Sequence, residues 1–249
     1  MNLTKYYNMI KLKRLSNIII ALTLVMSILI ILMSIYGNQV GNFVISIDEQ
    51  NRYNLSLSES DTFDTSFSRL SAEGLKKMTE ATYGVIPEDI DEIDGSHNDS
   101  INYTYLAYTF YLKNASPIPI SYYSQISIIK VSKSVDSAIR IMVIKNNDDP
   151  IIYAKWREAP EPEEVWNLPE EHIGVYDYFG KFIMKEYTTV KFESSVTVNK
   201  TLNDIINVQA IDKYTVVLWI EGMDAQCTND TLNNIMGGTL KLEMTFSVV

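Results

Sequence analysis

The chain has 249 residues, 46% hydrophobic and 21% charged, which excludes a disordered tail and is enough to bury a full core. A net charge of −10 repels a phosphate backbone, so nucleic acid is excluded as a partner class. One cysteine, Cys227, excludes an intramolecular disulfide.

The first predicted element is apolar. No charge occurs from Ile18 to Tyr36, while Lys5, Lys11, Lys13 and Arg14 precede that run and no acidic residue comes before Asp48. Nineteen uncharged residues at about 1.5 Å rise each approach the thickness of a bilayer's hydrocarbon core. The pattern predicts a basic cytoplasmic stub at 1–15, a transmembrane helix at 16–37 and an extracytoplasmic domain at 38–249. The expected location is the plasma membrane, single-pass, with the N-terminus inside, the C-terminal domain extracellular and lipid as a partner along 18–36. A cleaved signal peptide fits less well, because the run is longer than an ordinary signal core and lacks an A-x-A site. With those four basic residues set aside, 31 acids face 21 less 4 basic residues, a balance of −14 that favours cations or basic partners.

Beyond the apolar run the pattern is mostly period two. Strands are predicted at 42–47, 52–58, 101–114, 121–131, 138–145 and 150–156. Val190, Phe192, Val196 and Val198 alternate with polar residues and predict another. "KYTVVLWI" at 213–220 is apolar on both faces and should be central, and 239–248 alternates cleanly to the end. Short helices are predicted at 71–83, 201–208 and 230–238, the last capped by Asp230 and stopped by Gly237. The Pro-rich segment 156–174 holds Pro160, Pro162 and Pro169 among its glutamates and reads as a solvated insertion. The expected fold is mainly β: an antiparallel β-sandwich of about nine strands with short helices in its connections, after one N-terminal transmembrane helix.

"IDEIDGSHND", "YLAYTFYLKNAS", "VVLWIEGMDAQCTND" and "GGTLKLEMTF" resemble segments of a family of membrane-anchored proteins from Gram-positive bacteria and their relatives. The resemblance covers most of the region after the apolar run; it implies location and fold but no activity. A looser likeness to the camelysin and TasA group rests on "YGNQVGNF" and on a strand ending in Asn plus a small residue, "FYLKNAS". That group includes matrix fibre proteins, and the likeness implies a β-sandwich.

Two acidic stretches are candidate sites. "IPEDIDEIDGSHNDS" at 86–100 carries six carboxylates and His97. No register starting at Asp89, Asp91 or Asp94 places oxygen donors, Gly and Glu as a twelve-residue calcium loop requires. Ile86, Ile90 and Ile93 instead predict a short acidic helix ended by Gly95, then a tight turn into the next strand. An irregular Ca²⁺ site from Asp94, Asn98 and Asp99 remains a candidate if Asp224 and Asp230 of the second stretch, 221–230, converge on it. Otherwise no cofactor is expected. Cys227 needs a base to act as a nucleophile, and the chain's two histidines are His97 and His172. Metalloprotease, nucleophile-elbow, phosphate-loop and dinucleotide motifs are absent from the sequence. Tyr103, Tyr105, Tyr108, Tyr111, Tyr122 and Tyr123 could form an exposed contact stripe. The expected function is binding, adhesion or matrix assembly without catalysis, toward a protein or surface polymer. The alternatives are a metal- or cysteine-dependent surface hydrolase and an extracytoplasmic sensor for a membrane partner.

Overall fold

The computed structural model describes residues 17, 19–20, 22–27, 43–72, 75, 77–156, 170–176, 182–222, 224, 227 and 235–249. The chain divides into two units, Met1–Val40 and Gly41–Val249. In the first, residues 17, 19–20 and 22–27 are helical. That stretch corresponds to roughly 16 Å at 1.5 Å per residue, well short of a hydrocarbon core. Among the described residues no helix is long and apolar enough to cross a membrane. This corrects the expected transmembrane helix at 16–37, the lipid contact along 18–36 and the single-pass plasma-membrane location with an extracellular C-terminal domain. Uninterrupted apolarity had set the expected helix length, and residues 28–36 lie outside the described set.

The second unit is mainly β, built from two sheets. In chain order the strands are β1 (Phe43–Ile47), β2 (Leu55–Ser58), β3 (Arg69–Ser71), β4 (Glu80–Ala81), β5 (Gly95–Asn98), β6 (Tyr105–Asn114) and β7 (Ile120–Val131). They continue with β8 (Ile139–Lys145), β9 (Ile151–Ala154), β10 (Glu170–Tyr176), β11 (Phe182–Lys191), β12 (Thr197–Ile206), β13 (Ile211–Glu221) and β14 (Leu240–Val248). The smaller sheet has five strands in the order β12-β7-β14-β1-β3. The larger runs β10-β11-β9-β8-β13-β6-β2, with short β4 paired to β13 and β5 to β6. Most pairings are antiparallel; β1–β14, β11–β9 and β13–β4 are parallel.

Alternation explains the core. Leu106, Tyr108, Phe110 and Leu112 of β6 and Tyr214, Val216 and Leu218 of β13 point into one buried cluster. From the other sheet, Tyr122 of β7 joins Leu242, Met244 and Phe246 of β14 in the same cluster. Phe110 stacks on Tyr214 at 5.7 Å between ring centroids, and Phe246 meets both rings. A polar bridge also joins the sheets. The Tyr122 and Tyr214 hydroxyls lie 2.7 Å apart, Tyr122 donates to Asp212, and Tyr214 donates to Asn203 Oδ1 at 3.1 Å. Lys145 closes it, with Nζ 3.1 Å from Asn203 Oδ1 and 3.3 Å from Asp212 Oδ2.

β13 is central, between β8 and β6, as its two apolar faces require. Its second face, Val217 and Trp219, lies under β4 and the segment that follows it: Ala81, Tyr83, Ile86 and Ile90 cover it with Tyr105 and Tyr187. That segment is not the expected helix. Ile86 is extended (φ −70°, ψ 125°), the conformation a residue before proline favours, so only short turns form at Tyr83–Val85 and Ile90–Glu92. Ile93 is exposed, and the expected turn after Gly95 (φ +74°) is strand β5.

Other expectations also change. The strand predicted through 190–198 is two strands, β11 and β12, joined by a turn in which Ser194 Oγ accepts from Val196 N and Thr197 N. Segment 201–208 belongs largely to β12 rather than to a helix. Described residues of 71–83 form strand ends and a turn. Within the insertion, Glu170–Tyr176 is a strand paired with β11; residues 157–169 lie outside the described set. So do Asp230 and most of the helix predicted at 230–238, although Gly237 has the left-handed φ of +70° expected of a helix stop.

Candidate functional site

Each described acidic candidate serves its own locality. Asp94 Oδ1 accepts from the Tyr111 hydroxyl at 2.6 Å. Asp99, beyond the far end of β5, ties the next turn: Oδ1 accepts from Ile101 N and Asn102 N at 3.0 and 3.1 Å, and Oδ2 accepts from Thr104 at 2.9 Å. Those bonds, led by Asn102, hold its carboxyl below the ordinary carboxylate range. Asn98 pairs with Leu106 in the β5–β6 ladder. Asp224 follows β13 and accepts from Arg140 Nη2 at 2.8 Å. Asp230 lies outside the described residues. Among the described residues no group of three or more His, Cys, Asp or Glu could hold a metal ion.

Near Asp224 the sequence places chemistry that is walled in. Glu221 is fully buried; its Oε2 accepts from the Tyr187 hydroxyl at 2.9 Å and from Trp219 Nε1 at 3.0 Å. Arg140, opposite Trp219 in the β8–β13 ladder, is buried and also donates to Ile139 O. Cys227 is buried, and burial, with the Asp224 and Glu80 carboxylates, pushes its thiol up to about 12. A thiol so shifted is a poor nucleophile. His97 sits on β5, its Nδ1 beside Gly95 O and its Nε2 buried with no hydrogen-bond partner among the described residues. The side chain of His172 lies outside the described set.

The tyrosines predicted as a stripe are divided. Tyr105, Tyr108 and Tyr122 are buried, and Tyr103, Tyr111 and Tyr123 are half-buried. They supply core and bridging hydroxyls rather than a continuous surface.

The feature sequence reasoning missed is a cleft of about 530 Å³ at one end of the two sheets. Leu106, Ile139, Leu218 and Ile220 wall it from the larger sheet, and Leu240 from the smaller. Leu75, Met78, Met236, Gly237 and Gly238 complete the lining. The walls continue the main core: Leu106, Ile139 and Leu218 belong to it, and Leu75, Met78, Ile220 and Leu240 pack against it. Gly238 permits a close approach, since a Cβ there would meet Ile235 O at 2.8 Å and Ser132 O at 2.9 Å. Cys227 also lines it, and Lys77 and Glu80 are the charged lining groups described. No sequence motif announces such a site, because its lining comes from stretches well separated along the chain. A second hollow, about 370 Å³, lies over Met142 and Ile144 and is edged by Glu88, Asp91 and Asp148.

The arrangement defines a mainly β, two-sheet domain with an apolar cleft. Compared with known family models, curated proteins and solved structures, the chain matches none.

Proposed function

We propose that Gly41–Val249 is a non-catalytic binding module, a mostly antiparallel β-sandwich whose two sheets open at one end into a ligand cleft. The observation that carries this reading is the cleft itself. Its volume of about 530 Å³ is that of a small-molecule site, and its walls are apolar core residues with a few polar groups at the rim. The buried Cys227, with its raised thiol pKa, weighs against a cysteine hydrolase. The likeness of "FYLKNAS" to camelysin and TasA sandwiches accords with a binding or matrix role.

The test is titration of the full chain with a neutral apolar fluorophore, N-phenyl-1-naphthylamine. Saturable one-to-one binding is expected, and Met78→Trp, which fills the cleft from a loop wall, abolishes it while leaving the circular dichroism spectrum unchanged. Absence of saturable binding, or binding indifferent to Met78→Trp, overturns the reading.

A further inference from the structure

We infer that Lys145 and Asn203 form an intramolecular isopeptide bond, Lys145 Nζ to Asn203 Cγ, which ties the two sheets together, with Asp212 moving the protons. The inference is independent of the cleft and its ligand. Lys145 ends β8 of the larger sheet, and Asn203 is on β12 of the smaller. Nζ stands 3.1 Å from Asn203 Oδ1 and 3.3 Å from Asp212 Oδ2. Lys155 and Lys213 meet the carboxylates of Asp136 and Asp91 as ordinary ion pairs; Lys145 differs in meeting a carboxamide as well. With a single cysteine the chain has no internal disulfide, and this bond is a covalent staple open to it.

The surroundings fix the reacting groups. Tyr214 is opposite Lys145 in the β8–β13 ladder, and Tyr122 is opposite Asn203 in the β12–β7 ladder. Nζ lies 5.4 Å from the Tyr122 ring centroid and 5.8 Å from that of Tyr214. Asn203 is buried, its Nδ2 donating to Ser124 Oγ at 3.0 Å, Thr201 O at 3.2 Å and Tyr122 O at 3.5 Å. That aims Oδ1 at Lys145 and at the Tyr214 hydroxyl, 3.1 Å from each. Asn146 Nδ2 holds Asp212 Oδ1 at 2.8 Å. Groups so placed have already lost the freedom that a reaction between separate molecules must remove.

Counting hydrogens supports a proton passing from Lys145 to Asp212. Three oxygen–oxygen contacts run from Asp212 through Tyr122 and Tyr214 to Asn203, and two phenols supply only two hydrogens. Burial raises the pKa of both phenols, so they stay protonated. The third hydrogen comes from the ammonium by way of Asp212 Oδ2. Every contact in the row then has a donor, and Tyr214 keeps its bond to the Asn203 carbonyl.

The step balances. The lone pair of the neutral amine attacks Asn203 Cγ, the Nζ–Cγ bond forms, and the carbonyl pair moves onto Oδ1, where the Tyr214 hydroxyl stabilises it. Asp212 gives its proton to Nδ2 and takes one from Nζ. The Cγ–Nδ2 bond breaks with its electron pair, and ammonia departs, taking the proton from Asp212 to become ammonium. Asp212 ends ionised, as it began. Nothing is oxidised or reduced, and no co-reactant enters.

The test is the intact mass of the full chain by electrospray, with tandem mass spectrometry of its digest. The wild type should be lighter than its sequence by one ammonia, about 17 Da, and a branched peptide should join the segments around Lys145 and Asn203. The branched peptide is read on the wild type and so does not depend on how variants fold. Lys145→Arg and Asp212→Asn, shown to be folded by near-ultraviolet circular dichroism, should each keep the sequence mass. A wild type at its sequence mass overturns the inference. So does an ammonia loss that survives in Lys145→Arg, which would place it in a succinimide elsewhere. A loss that survives in Asp212→Asn overturns the role of Asp212 alone.

Discussion

Asn114 shows how one side chain can hold a corner. It is fully buried; its Nδ2 donates to Ile118 O at 2.8 Å and Ile206 O at 3.1 Å, and its Oδ1 accepts from Ser116 N and Ser116 Oγ at 2.9 and 2.7 Å. It thus joins the β6–β7 turn to the end of β12. Asn114→Ala takes this partner from the buried Ile206 carbonyl and the buried Ser116 amide, and should cost about 2–3 kcal/mol, read as a lower urea midpoint with unchanged m-value. The "NAS" ending was legible as a strand end, and its bonding was not, since Ile206 is far along the chain. Asn114 and Asn199 also head sequons, yet both are buried and closed to glycosylation in the folded chain. His97 adds a pH dependence. Burial lowers its pKa, so below the ordinary histidine value of 6.5 the unfolded chain binds more protons than the folded one. The stability it contributes is complete above that value and declines as pH falls towards the folded pKa. Urea midpoints at about pH 5 and 7.5 should differ in the wild type, and the difference should shrink in His97→Gln.

Among the elements, β13 and β14 were the most readable. Each has a pattern that one environment dictates: β13 is buried on both faces and β14 alternates. Segment 201–208 misled because Leu202, Ile205 and Ile206 recur at helical spacing. A register irregularity between Asn203 and Ile206 resets the pleat, so Asn203 and Ile206 turn inward while Leu202 and Ile205 stay exposed. The 86–93 segment misled for a different reason. Its isoleucines needed only a covering surface, and two of the three reach it without helix. Ile90 is 2% exposed and shares one buried cluster with Trp219 and Tyr105. Ile90→Ala should destabilise the domain by about 2–4 kcal/mol and shift tryptophan emission to the red as water reaches Trp219. The cleft was illegible because no local period reports that a core remains open at one end.

At the scale of the molecule, one pairing has a consequence for how the chain is made. β1 lies parallel to β14, Phe43 opposite Leu242 and Ile47 opposite Phe246. Nearly the whole domain separates these partners in sequence, and β14 also supplies β7 with its second neighbour. Loop closure on that scale is slow, and pairing of this kind places folding in the milliseconds-to-seconds range. A nascent chain therefore cannot complete the smaller sheet in the order of synthesis. Until β14 leaves the ribosome, β1 and β7 each expose an unpaired edge, and the core behind them stays open. A chain ending at Gly238 should accordingly lack the cooperative thermal transition of the full chain and should be cut by dilute protease that spares the full chain. Vectorial assembly is closed to this topology, and the interval before β14 emerges is when the chain has most need of a holding chaperone.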